Sequence, residues 1–92
     1  MPIASFRNKG LRELFETGQT RRIAAPFHRK AVLILDLLDN MESPADCAGA
    51  WKFHALKGDR EGSYALSVSK NWRITFSWRN SAACDLDFED YH

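Results

Sequence analysis

Hydrophobic positions in the first half of the chain recur every three or four residues, which is typical of amphipathic helices. Leu11, Leu14 and Phe15 lie on one face of a short helix predicted over residues 9–16, with Asn8 as its N-cap and Gly18 ending it. A second, longer helix is predicted over residues 26–42. Its apolar stripe consists of Ala31, Ile34, Leu35, Leu38 and Met41. The width of this stripe predicts a helix that is largely covered by other elements.

The second half changes to a period of two, which is typical of strands with one face in the core. Apolar and polar residues alternate over 63–69, 72–79 and 83–89, and residues 51–57 are also strand-like. In the last of these strands, Cys84, Leu86 and Phe88 are predicted to face the core. Residues 3–7 predict a short first strand. We therefore expect an α+β fold, with two N-terminal helices packed on a four- or five-stranded, mainly antiparallel sheet, in one domain over residues 1–92.

Composition narrows the class of protein. A chain of 92 residues that is 45% hydrophobic can bury a core and is too apolar to be disordered. It contains no apolar run long enough to span a membrane and no recognisable secretory signal, so we expect a cytoplasmic protein with no membrane partner. Cys47 and Cys84 fit no zinc or thioredoxin spacing and are predicted to be free thiols. Neither a metal nor another cofactor is expected, since no metal or nucleotide motif is present.

The net charge of +1 conceals a block pattern. Residues 1–30 and 51–80 are basic, whereas residues 31–50 and 81–92 are acidic. A basic region of this kind can attract a polyanion such as RNA. Alternatively, strands of opposite sign pair with each other and their fields cancel. In that case Arg73 and Arg79 would meet the acidic residues of the following strand. The sequence leaves both interpretations open.

Four residues of the second half are candidates for chemistry. His54 interrupts an apolar stretch, Lys57 and Arg60 flank a turn that contains glycine, and Arg73 lies on the polar face of a strand. Each has a structural alternative. His54 can be a packed, hydrogen-bonded histidine, Lys57 and Arg60 can be solvated loop charges, and Arg73 can form a cross-strand ion pair.

The final residues raise a separate question, because Asp90, Tyr91 and His92 bring an acid, a phenol and an imidazole together. If the last strand continues, Asp90 and His92 point to its apolar side, which is costly unless a pocket receives them. The alternative is a frayed end. The α-carboxylate on His92 favours a protonated imidazole and hence a proton donor. With His54 and the cations, this set suits RNA cleavage. That reaction needs a base for the 2′-hydroxyl, positive charge for the phosphate and an acid for the 5′-oxygen, but no metal.

Five stretches resemble the HigB-type toxins of the RelE/ParE superfamily of bacterial toxin–antitoxin systems. They are SFRNKGL at 5–11, LFETG at 14–18, LKGDR at 56–60, NWRITF at 71–76 and EDYH at 89–92. The resemblance implies a RelE-like fold and cleavage of translated mRNA in the ribosomal A site. It also implies three partners: a HigA-type helix-turn-helix antitoxin, mRNA and the 70S ribosome with its rRNA.

The resemblance also implies roles for particular residues. The positions that match the catalytic residues of the family are His54, Asp90, Tyr91 and His92. Lys57 and Arg73 match basic positions associated with RNA binding or transition-state charge, and Arg60 matches an RNA-binding position by motif. Two positions depart from many relatives: Asn8 stands in place of a histidine, and Ala55 stands in place of a proline. Two other functions stay open. One is a ParE-like inhibitor of DNA gyrase, which needs no catalytic tail, and the other is a catalytically degenerate toxin that acts only through antitoxin binding and repression.

Overall fold

The structure is a computed structural model, and it describes residues 2–90. Two helices precede four strands: α1 (Lys9–Thr17), α2 (His28–Asn40), β1 (His54–Ala55), β2 (Ser63–Ser67), β3 (Trp72–Arg79) and β4 (Ala82–Asp90). Short 3₁₀ turns occupy Ala25–Phe27, Pro44–Cys47 and Gly58–Arg60. This order confirms the predicted α+β class. Within the described residues, no helix is both long enough and apolar enough to cross a membrane.

Helix α1 begins and ends where the sequence predicts. The side-chain oxygen of Asn8 accepts a hydrogen bond of 3.0 Å from the Leu11 N–H, which satisfies one of the free donors of the first turn. At the other end, Gly18 adopts φ +81° and donates its N–H to the Leu14 carbonyl over 2.9 Å. A residue with a side chain is strained in this left-handed conformation, so glycine suits the position.

Helix α2 is shorter than predicted but buries the predicted stripe. The residues of this stripe are all in the core: Ala31, Ile34, Leu35, Leu38 and Met41. The helix proper spans His28–Asn40, because a 3₁₀ turn with Pro26 near its start precedes it. From the sheet, the core receives Leu66, Ile74, Phe76 and Leu86. The helices therefore cover one face of the sheet.

The four strands form an antiparallel sheet in the order β1-β2-β3-β4. Residues that pair across strands lie on the same face of a sheet. The pairs Leu66–Ile74 and Ile74–Phe88 mark the face under the helices. The opposite face, called the open face below, carries a row of four paired residues, namely His54, Ala65, Thr75 and Asp87. The next row on this face contains Ser67, Arg73 and Glu89.

Two predicted strands differ from the structure. Residues 3–7 form two isolated parallel bridges to β4, Ile3–Ala83 and Phe6–Leu86, rather than a continuous strand. The stretch 51–57 is reduced to the two residues of β1, because Trp51 and Lys52 have φ values of +45° and +55°. These left-handed conformations form a turn, so the extended backbone begins only after them.

Cys84 is buried, but the prediction that it shares one face of β4 with Leu86 and Phe88 is wrong, because β4 contains a bulge. Thr75 pairs with Asp87 but Ser77 pairs with Cys84, so one extra residue of β4 lies between the two pairs. Asp85 absorbs it with φ +55°. The bulge reverses the alternation, so that Ala83 is in the core and Cys84 lies on the side of Ser77. Cys47 and Cys84 are both free and buried, as expected of reduced thiols.

Candidate active site

His54 lies on β1, at the edge of the sheet, and its side chain is exposed. The alternative of a packed core histidine is therefore wrong. Its Nδ1 is 2.9 Å from the carbonyl oxygen of Lys52. A carbonyl oxygen can only accept, so this hydrogen bond places the proton of the neutral ring on Nδ1 and leaves the lone pair on Nε2. The local fold thus presents Nε2 as a proton acceptor.

The turn before His54 holds that carbonyl in place. Trp51 and Lys52 both adopt positive φ, which is costly for residues with side chains and is often found at functional sites. The Ser67 N–H donates to the Trp51 carbonyl over 2.7 Å, which ties this turn to the end of β2. One hydrogen bond to this held turn therefore orients the imidazole, although the ring itself is open to solvent.

Lys57 and Arg60 lie in the connection between β1 and β2. Lys57 is exposed and immediately precedes the 3₁₀ turn Gly58–Arg60, in which Gly58 has φ +67°. Arg60, in contrast, is half-buried, because its guanidinium group reaches β4 and pairs with Glu89. The interpretation of both residues as solvated loop charges is therefore wrong for Arg60, while the exposed Lys57 is compatible with it.

Glu89 is the centre of a hydrogen-bonded cluster, called the Glu89 cluster below. Arg60 donates to both of its oxygens, from Nη1 to Oε1 over 2.7 Å and from Nη2 to Oε2 over 2.5 Å. Arg73 Nη2 donates to Oε1 over 3.3 Å, and Thr75 Oγ1 donates to Oε2 over 2.7 Å. The predicted cross-strand ion pair of Arg73 is confirmed, with Glu89 as its partner. The RNA-binding roles of Arg60 and Arg73 remain predictions.

The cluster changes the electrostatics of the open face. Hydrogen bonds from Arg60, and to a lesser degree from Thr75 and Arg73, lower the pKa of Glu89 to about 2, although burial acts in the opposite direction. Glu89 is therefore ionised at every physiological pH. Two guanidinium groups share one carboxylate, which leaves a net charge of one positive unit in the cluster. The pKa of Arg60 is raised, mainly by its hydrogen bonds with Glu89.

The end of β4 adjoins this cluster. Phe88 stacks on Trp72 with a centroid distance of 4.8 Å and also contacts Phe27, so the strand is anchored to the helical side. Asp90 pairs with Trp72 and is exposed. The remaining predicted catalytic residues, Tyr91 and His92, lie outside the described residues, and their roles remain predictions.

A polar cavity of about 260 Å³ lies beside Arg60 on the open face. Its lining comprises Arg7, Asp59, Arg60, Ser63, Thr75, Phe76, Ser77 and Asp85. Within the described residues, the structure thus brings Arg60, Arg73 and Thr75 together around Glu89, and His54 lies in the same row of the sheet as Thr75. The cavity is open to solvent, so a polar ligand bound on the open face can reach it.

The sequence interpretation missed Glu89, Thr75 and Arg7. The sequence points only to the acidic residues of the last strand as a group that can pair across strands, and it does not select Glu89 among them. The hydrogen bond to Arg60 spans 29 positions along the chain, and a local pattern contains no signal for it. The register of β3 and β4 is what selects Glu89, rather than Asp87, as the partner of Arg73.

Comparison with known proteins places the chain among toxins. The model of a family described as the RelE-like toxin of the type II toxin–antitoxin system HigB matches residues 4–92. The chain is also 40% identical, over 94 aligned positions, to a Proteus vulgaris protein named Endoribonuclease HigB. This alignment covers 98% of the chain and 99% of the relative. The chain therefore belongs to the HigB-like family of RelE-like toxins of type II toxin–antitoxin systems.

Proposed function

We propose that this toxin is an endoribonuclease that cuts translated mRNA in the ribosomal A site by metal-independent attack of the 2′-hydroxyl. Membership of the HigB-like family and the name of the Proteus vulgaris relative support the endoribonuclease activity. The dependence on ribosomes and the chemical mechanism are our inference. They rest on the residue types at the open face and at the end of β4.

The observation that carries the proposal is the hydrogen bond between His54 Nδ1 and the Lys52 carbonyl, which leaves Nε2 available as a base. In the proposed step, Nε2 removes the proton of a ribose 2′-hydroxyl while the 2′-oxygen attacks the adjacent phosphorus. The bond from phosphorus to the 5′-oxygen breaks, and an acid protonates that oxygen. The products are a 2′,3′-cyclic phosphate and a 5′-hydroxyl, so atoms and protons balance without a metal.

The other predicted residues supply charge and the acid. Arg73 and Arg60 lie on the open face, where they can stabilise the negative charge that develops on the phosphate oxygens. Lys57, exposed in the turn before Arg60, is proposed to contact an RNA phosphate. Asp90 is proposed to orient an imidazole, Tyr91 to stack on a base, and His92 to donate the proton to the 5′-oxygen.

The test compares one mRNA with and without ribosomes, using purified protein and mapping cuts by reverse transcription. We expect cuts inside translated codons only when ribosomes are present, with DNA gyrase supercoiling unaffected. Intact mRNA with inhibited supercoiling would instead favour the gyrase inhibitor. Intact mRNA with normal supercoiling would favour the degenerate toxin. Cleavage of free RNA at the same sites would refute the dependence on ribosomes.

The antitoxin is proposed to be a HigA-type helix-turn-helix protein, and the charged ends of α2 are one candidate contact. Arg29 and Lys30 lie in its first turn, Asp39 lies in its last turn, and Glu42 follows it. We expect the product of a neighbouring helix-turn-helix gene to co-purify with this chain and to suppress its toxicity. Reversing the charges of Arg29 and Lys30 together tests the contact, because co-purification that survives this change excludes the start of α2.

A further inference from the structure

Glu89, on β4, connects the turn after β1 with β3 through side-chain hydrogen bonds. Its carboxylate accepts hydrogen bonds from Arg60 in the turn after β1 and from Arg73 and Thr75 on β3. The side chain of Glu89 is only 19% exposed, and that of Arg73 only 17%. Solvent therefore competes weakly for the hydrogen bond between Glu89 and Arg73, and more strongly for those of Arg60, whose side chain is 39% exposed. Such a shielded cluster holds its members in one arrangement more firmly than an exposed ion pair does.

The reason why a carboxylate is needed here is electrostatic. Arg60 and Arg73 both donate to Oε1, so their guanidinium groups lie close together and repel each other. Long arginine side chains also have many rotamers, and without a fixed acceptor the partly exposed Arg60 would be able to leave this arrangement. Glu89 offsets the repulsion and fixes the fork of Arg60 through two parallel hydrogen bonds.

We propose that Glu89 is a positioning residue of the RNA-cleaving site: it holds Arg73 and Arg60 where the phosphate charge develops and does not itself touch the RNA. The inference rests on the proposed function and concerns the same site. Glu89 also directly precedes the proposed catalytic Asp90, so the cluster fixes the strand from which that residue projects. A displacement of about 1 Å in such supporting groups can lower a rate by roughly 100-fold.

Glu13, on α1, provides a matched control for the substitution of Glu89. Glu13 of α1 accepts a hydrogen bond of 2.5 Å from the Thr20 hydroxyl and one of 3.2 Å from Arg22 Nε. It is thus a second glutamate held by a threonine and an arginine, and it is absent from the residues that line the cavity on the open face. Glu13→Gln repeats the chemical change of Glu89→Gln at a position where no effect on cleavage is expected.

The experiment measures kcat and KM for cleavage of ribosome-bound mRNA by wild type, Glu89→Gln and Glu13→Gln. We expect kcat to fall roughly 10- to 100-fold in Glu89→Gln, with KM changed less than about threefold, and both constants to be unchanged in Glu13→Gln. The two limbs of the pH profile should persist in Glu89→Gln, because a positioning residue transfers no proton. Loss of one limb would instead make Glu89 an acid or base and overturn the proposal.

A double-mutant cycle tests whether Glu89 acts through Arg73. The effect of Glu89→Gln on kcat should shrink at least threefold in an Arg73→Ala background, because the group to be positioned is gone. Full additivity would contradict the proposal. Should Glu89→Gln fail to fold, Thr75→Val removes one donor to Glu89 with little change in shape, and a several-fold loss in kcat is expected. An unchanged kcat in a folded Thr75→Val protein then counts against the proposal.

A measurement independent of activity separates this inference from the proposed function. In NMR spectra, the Nη–H resonances of Arg60 and Arg73, which donate to Glu89, should exchange faster with solvent in Glu89→Gln than in wild type. Glu13→Gln should affect only the Nε–H of Arg22. If wild type cleaves ribosome-bound mRNA and Glu89→Gln cleaves it at the full rate, the positioning role alone is overturned. Wild type that leaves mRNA intact on ribosomes overturns the proposed function and the positioning role together.

Discussion

A single backbone carbonyl determines what His54 can do. Its imidazole is exposed on an edge strand, so its chemistry is decided by the hydrogen bond from Nδ1 to Lys52 rather than by burial. Without this hydrogen bond the ring could present either nitrogen to a 2′-hydroxyl, and only a nitrogen that carries a lone pair can act as the base. The turn at Trp51 and Lys52 removes this ambiguity before the substrate arrives.

Replacing His54 by alanine should abolish cleavage without unfolding the protein. Loss of a positioned base typically lowers a rate by roughly 10²–10⁴-fold. Because the ring is exposed, the free energy of unfolding should change by less than about 0.5 kcal/mol. Cleavage mapping and thermal unfolding of the same preparation measure both effects. A folded variant that still arrests growth would show that His54 is not the base.

Glu89→Gln should make the free energy of unfolding less dependent on pH in the acidic range. The pKa of Glu89 is about 2 in the folded state and lies near its ordinary value of 4.5 in the unfolded state. The stabilisation that ionised Glu89 gives the folded state is therefore complete above about pH 4.5 and is lost as the pH falls through 2. We expect wild type to exceed the variant by on the order of 2 kcal/mol at pH 6 and the difference to narrow below pH 4. A difference in the free energy of unfolding that stays constant from pH 6 to pH 2.5 would contradict the hydrogen bonding of Glu89 in this cluster.

At the scale of elements, the turn between β1 and β2 carries two neighbouring cations that we expect to have different roles. Arg60 turns inward and is held by Glu89, whereas Lys57, at the start of the same turn, stays in solvent. An exposed lysine contributes to RNA affinity mainly by releasing counterions from phosphates. A held arginine contributes directed hydrogen bonds. We therefore expect Lys57 to govern affinity and Arg73, in the same cluster as Arg60, to govern rate.

Lys57→Ala should flatten the salt dependence of ribosome binding, measured in a His54→Ala background to prevent cleavage. Loss of one phosphate contact should reduce the slope of log affinity against log salt by roughly 0.7–0.9. Lys9→Ala, which removes an exposed lysine from the start of α1, is the control and should leave the slope unchanged. An identical slope in wild type and Lys57→Ala would leave Lys57 as a solvated loop charge.

The elements also show what a sequence pattern can and cannot predict. The caps of α1 and the extent of β3 follow from local chemistry, since a side chain or a glycine within a few residues decides them. The bulge at Asp85 does not, because it depends on the N-terminal segment: the Ser5 hydroxyl accepts a hydrogen bond of 2.8 Å from the Asp85 N–H. The Glu89 cluster escaped prediction for the same reason, since its members meet only through strand register.

At the scale of the whole molecule, both interpretations of the charge blocks hold in part. Opposite charges pair between the central and final regions, as in Arg60–Glu89 and Arg79–Asp85. Eight other exposed cations take part in none of the ion pairs of residues 2–90, namely Arg7, Lys9, Arg21, Arg29, Lys30, Lys52, Lys57 and Lys70. Four of them line two cavities that share Trp51. A basic surface therefore remains after internal pairing and supports attraction to RNA.

The fold should survive the loss of its last two residues, whereas activity should not. The end of β4 is held by the stacking of Phe88 on Trp72, by the Glu89 cluster and by the pairing of Asp90 with Trp72, none of which involves Tyr91 or His92. Deleting both residues should leave the unfolding transition and antitoxin binding nearly unchanged. The proposed acid would be missing, so cleavage should fall by roughly 10²–10⁴-fold.

Two further variants serve as controls for the deletion of Tyr91 and His92. His92→Ala removes the imidazole but keeps the chain length, and it should lose most of the activity that the deletion loses. A bulky tag after His92 should weaken cleavage, whereas the same tag before Met1 should have little effect. Equal rates for wild type and the deletion would mean that the end of the chain takes no part in catalysis. The reaction would then depend on groups of the open face, with His54 as the base and the acid supplied by another residue or by the ribosome.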